Sequence, residues 1–280
     1  MIASEIRTVR TTASSSTHSK SRASKILVIA LNTFRESVRD RVLYNLILFV
    51  LILVGASVFV SDLSVSMESQ FTATLALSAM LVFGALMAIF IGVGLVYKEI
   101  DKRTIYNLLS KPVYRHELVT GKYLGLCMTL LVNLLVMMIG AELALLYVNR
   151  EFTNLMVTTL AAGYLIYLEL ALLVAVALMF SCFTTPLLAT LFSFAIYVIG
   201  HFSPDLKVAA KMAGSSLVRG MLTGLYYLIP NLSNFGFITE ASHGKIVPLR
   251  MALMATIYAV IYIAILLSAS VLIFQRRNFK

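Results

Sequence analysis

Charged side chains are scarce in this chain. Only 13% of its 280 residues are Asp, Glu, Lys or Arg, whereas 60% are hydrophobic, and the mean hydropathy is +0.91. Soluble domains carry about a quarter charged residues. Because so few charges cannot cover a water-facing surface, the composition excludes an ordinary soluble domain and indicates that lipid faces much of the protein.

The sequence also lacks the residue spacings that bind metals or nucleotides. Its two cysteines, Cys127 and Cys182, do not form a Cys-x-x-Cys motif, and its four histidines show no paired spacing. Neither a zinc site nor a disulfide framework is therefore indicated. There is no Gly-x-x-x-x-Gly-Lys-Ser/Thr loop to cradle a nucleotide. We predict no catalytic residue, no metal and no bound cofactor in this chain.

The first 24 residues lack apolar runs. They are rich in Ser, Thr, Arg and Lys, and the first strongly apolar run starts only near Leu43, too far into the chain for a signal peptide. A transit peptide would look similar, but low hydrophobicity favours a disordered cytoplasmic tail over residues 1–24. Residues 25–280 are predicted to form a single transmembrane domain.

Six apolar stretches are long enough to cross a bilayer as helices. A crossing helix needs about 20 apolar residues at 1.5 Å rise per residue. The sequence therefore predicts an all-α polytopic membrane protein with six transmembrane helices. The predicted spans are residues 43–60, 71–96, 123–148, 155–180, 184–202 and 251–274.

The basic residues lie mainly on one side of these spans. With both termini on the same side, 17 Lys and Arg flank that side and 6 flank the other. Since cytoplasmic loops carry the excess of Lys and Arg, both termini are predicted to be cytoplasmic. The net charge of +10 is distributed between apolar runs rather than on one soluble face, so no nucleic-acid partner is predicted.

The outer segment 203–250 is predicted to be an amphipathic interfacial or re-entrant element. Leu217–Ile238 is apolar enough to be mistaken for a seventh span, but Pro230 interrupts it, and a seventh span would place the basic C-terminal tail outside. Ser203-Pro204-Asp205 is typical of a helix start, with Ser203 as the N-cap.

Two segments predicted to be cytoplasmic, 26–42 and 97–122, have sequence patterns beyond the basic residues that set the topology. In 26–42 an apolar stripe predicts an amphipathic helix on the membrane surface, with or without a partner. The stripe consists of Leu27, Leu31, Phe34, Val38 and Val42. The loop 97–122 has mixed charges, breaks at Pro112 and suits docking to a soluble protein. The alternative is a solvated loop whose lysines only set the topology.

Few residues inside the spans suggest a site. Glu142 and Glu169 are the only acids there, and each either lines a translocation path or has a structural role, as when a neutral Glu169 bonds a tyrosine. Gly84, Ala88 and Gly92 form a stripe of small residues that allows close helix contact. Packing within the chain is favoured over a dimer contact for this stripe.

Four segments resemble the type-2 ABC transporter permease family. They are Ala30–Phe49 (ALNTFRESVRDRVLYNLILF), Glu99–Gly125 (EIDKRTIYNLLSKPVYRHELVTGKYLG), Tyr226–Phe235 (YYLIPNLSNF) and Phe274–Phe279 (FQRRNF). The last two are similar to the branch that includes the permease of nitrous-oxide-reductase copper maturation. The four lie in the family's order and cover the chain from about residue 26 to its end.

The resemblance implies a membrane subunit, acting as an exporter in a bacterial cytoplasmic membrane. It implies a separate ATP-binding subunit that holds the ATP and Mg, and a second permease copy or paralogue. The ATPase would dock on the amphipathic helix and the loop, at Arg35, Arg39, Glu99, Arg103, Leu108, Lys111, Pro112, Arg115 and Glu117.

Two other functions remain as alternatives. A secondary transporter would favour paired charges in spans and an inverted repeat, which the sequence does not display. A membrane enzyme acting on lipid would need a polar cluster at one face. The outer segment offers Asp205, Glu240, His243 and Lys245, without a recognised catalytic spacing.

Overall fold

The computed structural model describes residues 25–37, 48–49, 52, 65–101 and 115–276, and these residues form helices joined by short links, with no strand among them. Helix α1 comprises residues 25–37. The other helices, in chain order, are α2 (Val65–Asp101), α3 (Arg115–Asn149), α4 (Asn154–Ser181), α5 (Pro186–His201), α6 (Ser203–Met212), α7 (Ser216–Leu228), α8 (Ile238–Ser242) and α9 (Leu249–Arg276), and a 3-10 turn spans Leu232–Phe235.

Within these ranges, four helices are long and apolar enough to cross a membrane. They contain the qualifying stretches Glu68–Gly94, His116–Asn149, Asn154–Ser181 and Leu249–Ile273, and the bent pair α5–α6 brings the number to five if it counts as one span. The all-helical prediction is confirmed. The first predicted span, residues 43–60, lies almost wholly outside the described residues, so the six-span count and the orientation stay predictions.

Helix α4 lies at the centre of the bundle, and α2 runs parallel to it. Gly84 of α2 faces Leu170, and Gly92, two turns further along, faces Ala177. Residue numbers therefore increase together along the two helices. Most of α4 is buried, whereas α5 and α9 expose broad apolar faces, for example at Leu187 and Ile265, as expected of lipid-facing helices.

Helices α3 and α5 run antiparallel to α4. Met138 of α3 faces Gly163 of α4, and the Tyr123 hydroxyl, 15 residues earlier in α3, donates to the carbonyl of Ala171, later in α4. Successive long helices thus alternate in direction, as predicted for successive spans. One end of the bundle, here named the connector end, contains residues 150–153 and 202–248; the opposite end, the α1 end, contains residues 182–185 and α1.

The connector between α5 and α9 contains no further span. Helix α7 is 13 residues long, buries none of them and ends before Ile229-Pro230. The following residues turn back into the bundle, where Leu232 and Phe235 are buried and the backbone N–H of Asn231 donates to the Tyr258 hydroxyl at 2.7 Å. The prediction that no seventh span exists here agrees with this geometry.

The predicted start of α6 is wrong by one residue. Phe202 is the N-cap, and Ser203 is already the first helical residue, with no side-chain capping hydrogen bond. The reason is that α5 continues into α6 across Phe202 alone, with a bend of 68°. The backbone carbonyl of Phe202 already accepts the first helical hydrogen bond, from the N–H of Leu206. Ser203 is therefore inside the helix and cannot act as its N-cap.

Candidate functional site

Helix α1 packs against the start of α3 at two glycines. A Cβ added to Gly125 would lie 2.5 Å from the carbonyl oxygen of Ala30 and 2.6 Å from Cβ of Thr33, and one added to Gly121 would lie 2.8 Å from Cγ2 of Ile29. Glycines four residues apart form one helix face without side chains, so the two backbones approach closely. The amphipathic helix and the residues that follow the loop predicted to be cytoplasmic therefore form one unit at the α1 end.

Helix α1 has a buried face of small residues and a separate, more exposed apolar stripe. Ala30, Thr33 and Ser37 are buried against the protein. The predicted apolar stripe lies roughly 110° further round the helix. Of its described members, Leu27 and Leu31 are 59% and 37% exposed, and Phe34 is partly buried. That stripe is available to lipid. The small-residue face was not predicted from the sequence, although its members recur at helical spacing. Gly121 and Gly125 recur at the same spacing.

The predicted coupling residues are only partly described. Arg35 is exposed on α1. Glu99 lies in the last turn of α2, which extends to Asp101, and Arg115 is the first residue of α3. The link between the two helices is therefore shorter than the predicted loop 97–122. The predicted coupling residues Arg39, Arg103, Leu108, Lys111 and Pro112 lie outside the described residues.

Glu117 is not on the surface, contrary to its predicted place in a docking surface. Its exposure is 1%, and it lies in the first turn of α3. A carboxylate in this position is favoured by the positive end of the helix dipole. Because α3 starts eight residues before the predicted span, this part of the predicted loop is helical and packed.

The small-residue stripe of α2 faces α4. Ala88 is 1% exposed, and a Cβ on Gly92 would lie 2.8 Å from Cβ of Ala177. A Cβ on Gly84 would overlap Cδ1 of Leu170. These residues thus bring two helices of the same chain into close contact.

Glu142 joins α3 to α4 near the connector end. Thr159 donates a 2.6 Å hydrogen bond to its Oε1. Its Oε2 is buried without a hydrogen-bond partner among the described residues. The side chain as a whole is half-buried, so this acid has one firm contact and one unmet acceptor.

Replacing Thr159 by valine is expected to destabilise the bundle by about 1–3 kcal/mol, because Oε1 of Glu142 loses its donor. Thr190→Val is the matched control, since the Thr190 hydroxyl bonds only to the carbonyl of Pro186 in its own helix. Thermal unfolding in detergent should show a clear drop for Thr159→Val and little change for Thr190→Val. Equal melting temperatures would contradict the assigned contact.

Glu169 lies beside a histidine that the sequence analysis did not connect with it. It is 1% exposed, and its Oε1 is 3.5 Å from Nε2 of His201. The Nδ1 of the same ring is 3.3 Å from the carbonyl oxygen of Tyr197, whose ring lies 4.8 Å away between centroids. The structural hypothesis of a hydrogen bond from Glu169 to a tyrosine is thus replaced by a carboxyl–imidazole contact.

The short link between α4 and α5 could have predicted that Glu169 and His201 lie close together. Only residues 182–185 separate the two helices. In so tight an antiparallel pair, residues equally far from the link lie opposite each other, which places Glu169 opposite about residue 198, one turn from His201. Among the described residues, no three His, Cys, Asp or Glu side chains are grouped so as to hold a metal ion.

Apolar helices of membrane-crossing length, alternating in direction around a buried central helix, define a multi-pass helical membrane protein. The family model for the ABC-2 family transporter protein matches residues 27–279. The chain therefore belongs to the ABC-2 transporter family, and it is the membrane-embedded permease type of ABC transporter subunit. No curated protein sequence matches it.

Proposed function

We propose that this permease is an exporter driven by a separate ATP-binding subunit, which docks at the α1 end. The observation that carries the proposal is the close packing of α1 on Gly121 and Gly125. This contact joins the amphipathic helix to the helix that follows the charged loop. A partner that pushed on either element would move both, and α3 would carry the movement into the membrane.

The docking surface in this proposal comprises Arg35 and Arg39 of the amphipathic segment and Glu99, Arg103, Leu108, Lys111, Pro112 and Arg115 of the loop. Their mixed charges suit a soluble partner, and the basic excess supports a cytoplasmic position for the α1 end. ATP and Mg would be bound by the partner, since this sequence has no phosphate-binding loop.

The translocation path is proposed to lie between two permeases, either two copies or a copy and a paralogue. ATP-driven closure of the ATPases would tilt the loops and open the path. Glu142 and Glu169 are the candidate acids of the path. Because Glu169 is 1% exposed, a transported molecule would reach it only if α4 and α5 separated.

The bacterial cytoplasmic membrane is the proposed location. The resemblance to the copper-maturation branch, carried by Tyr226–Phe235 and Phe274–Phe279, stays a prediction. The tight packing of Leu232 and Phe235 in the bundle gives the first of these segments a structural role whichever branch the chain belongs to.

Purification of the full chain from membranes in mild detergent tests the ATPase proposal. We expect an ATP-binding subunit in about equal amount, lost when Glu99, Arg103 and Arg115 are changed together to alanine. The matched control changes Lys207, Lys211 and Arg219 at the connector end, which should retain the subunit. If the ATPase is never recovered, or if only the connector variant loses it, the proposed docking surface is wrong.

A further inference from the structure

We propose that Glu169 and His201 jointly bind one proton in the interface between α4 and α5. The site is the contact between Oε1 of the buried carboxyl group and Nε2 of the imidazole, 3.5 Å apart. Its ligand is a proton, which needs no cavity. This inference is independent of the proposed ATPase, because it concerns contacts within this chain alone.

The chemistry of the facing atoms favours a proton between the two groups, because Oε1 of Glu169 is buried without a hydrogen-bond partner among the described residues. The carbonyl oxygen of Tyr197 lies 3.3 Å from Nδ1 of His201 and can only accept, so the tautomer that bonds to it carries its hydrogen on Nδ1. A neutral imidazole then presents a lone pair at Nε2, and an ionised Glu169 presents lone pairs at Oε1. These two acceptors repel each other. One further proton, on either Nε2 or Oε1, provides a donor between them and makes the contact attractive.

The burial of Glu169 also favours a shared proton. Glu169 is 1% exposed, and an unpaired carboxylate in an apolar interior is strongly destabilising. With one shared proton the pair is either two neutral groups or an imidazolium and a carboxylate, and its net charge is zero in both. Removing the proton would leave one net negative charge between α4 and α5 and would weaken the packing of the two helices.

The two partners differ in their exposure. The His201 side chain is 31% exposed, whereas that of Glu169 is 1% exposed. His201 is the last residue of α5, directly before the 68° bend into α6. A proton donated by a buffer acid would enter through this less buried partner and be shared with Oε1, while the conjugate base would stay in solution.

Few other groups compete for this proton. Helix α3 carries Tyr123, Cys127 and Glu142, of which Tyr123 donates to the carbonyl of Ala171 and Glu142 accepts from Thr159. Helix α4 itself adds the phenols of Tyr164 and Tyr167, and α8 adds Glu240. On α5 the neighbouring titratable group is the phenol of Tyr197, and past the bend Asp205 and Lys207 are exposed. Helix α2 contributes no Asp, Glu, Lys, Arg or His between Glu68 and Tyr97. The turn at 229–237 contributes none, and α9 contributes only the phenols of Tyr258 and Tyr262 between Arg250 and Arg276.

The test follows both groups in the full chain, reconstituted in lipid nanodiscs. Isotope-labelled histidine reports the His201 nitrogens by NMR, and infrared spectroscopy reports the carboxyl C=O band. The His201→Gln and Glu169→Gln variants assign the two signals by their loss. In the wild-type protein we expect both signals to change in one common pH transition, and in Glu169→Gln we expect the proton affinity of His201 to change by about tenfold or more.

His243 provides a matched internal control. Its Nδ1 lies 2.7 Å from the carbonyl oxygen of Thr239, the same local contact that His201 makes with Tyr197, but it is exposed. Its NMR signals should be the same in the wild-type protein and in Glu169→Gln. Separate transitions for the carboxyl and His201 in the wild-type protein, or a His201 titration that is unaffected by Glu169→Gln, would overturn the proposal. The wild-type measurement decides even if a variant folds poorly.

Discussion

Replacing Gly92 by leucine is expected to separate α2 from α4 and to destabilise the bundle by about 3 kcal/mol or more. A Cβ at this position would lie 2.8 Å from Cβ of Ala177 and 3.6 Å from the carbonyl oxygen of Val174. Neither atom can move by a side-chain rotation, because one is fixed to the backbone and the other belongs to it. The two helices would have to move apart along their shared face.

Gly94 offers a control two residues away on the same helix. A Cβ there would meet no atom within 4 Å. Both substitutions gain the same helix propensity, about 1 kcal/mol for replacing an interior glycine, so the difference between them isolates the packing term. Membrane accumulation and the thermal midpoint in detergent should fall for Gly92→Leu and hold for Gly94→Leu. Similar losses in both variants would refute the α2–α4 contact.

The helices themselves could be predicted from the sequence, because a bilayer demands long apolar runs and the runs near 71–96, 123–148, 155–180 and 251–274 meet that demand. Their ends could not, since a helix continues beyond the hydrocarbon core wherever its backbone is satisfied. Helix α2 starts at Val65 and reaches Asp101, and α3 starts at Arg115. The charged ends look like loop in a hydropathy pattern although they are helical.

The contacts between helices were harder to predict. The stripe at Gly84, Ala88 and Gly92 signals a close contact, but its spacing does not name the partner helix. Glu169 and His201 are far apart in sequence, and a rule based on short spacings passes over them. The register of the α4–α5 pair brings them together, and only a prediction of helix pairing would have carried that information.

The contact between α1 and α3 could not be predicted from hydropathy. The apolar stripe at Leu27 and Leu31 predicts contact with lipid, but it does not reveal the role of the small residues beside it. The structure shows that Ala30 and Thr33 face α3, which leaves the stripe exposed. Small side chains contribute little to hydropathy, so a pattern based on hydrophobicity cannot detect a contact made by backbone approach.

Replacing Gly125 by alanine is expected to weaken the docking of α1 by about 2 kcal/mol, roughly 30-fold in the docking equilibrium. The new methyl group would lie 2.5 Å from the carbonyl oxygen of Ala30 and 2.6 Å from Cβ of Thr33. Because neither atom can rotate away, α1 as a whole must shift. Tryptic cleavage at Lys25 and Arg35 in the purified chain should become faster.

The comparison with Gly140→Ala separates docking from helix stability. Gly140 lies on the same helix, and its nearest neighbour would be Cε1 of Phe49 at an ordinary contact distance of 3.8 Å. There the gain in helix propensity, about 1 kcal/mol, should dominate, and cleavage within α1 should not change. If Gly125→Ala speeds cleavage and also lowers the recovery of the ATP-binding subunit, while Gly140→Ala does neither, the close contact between α1 and α3 is part of the coupling surface. Unchanged cleavage in Gly125→Ala would show that α1 does not depend on this contact, and the mechanical link from α1 to α3 would have to be abandoned.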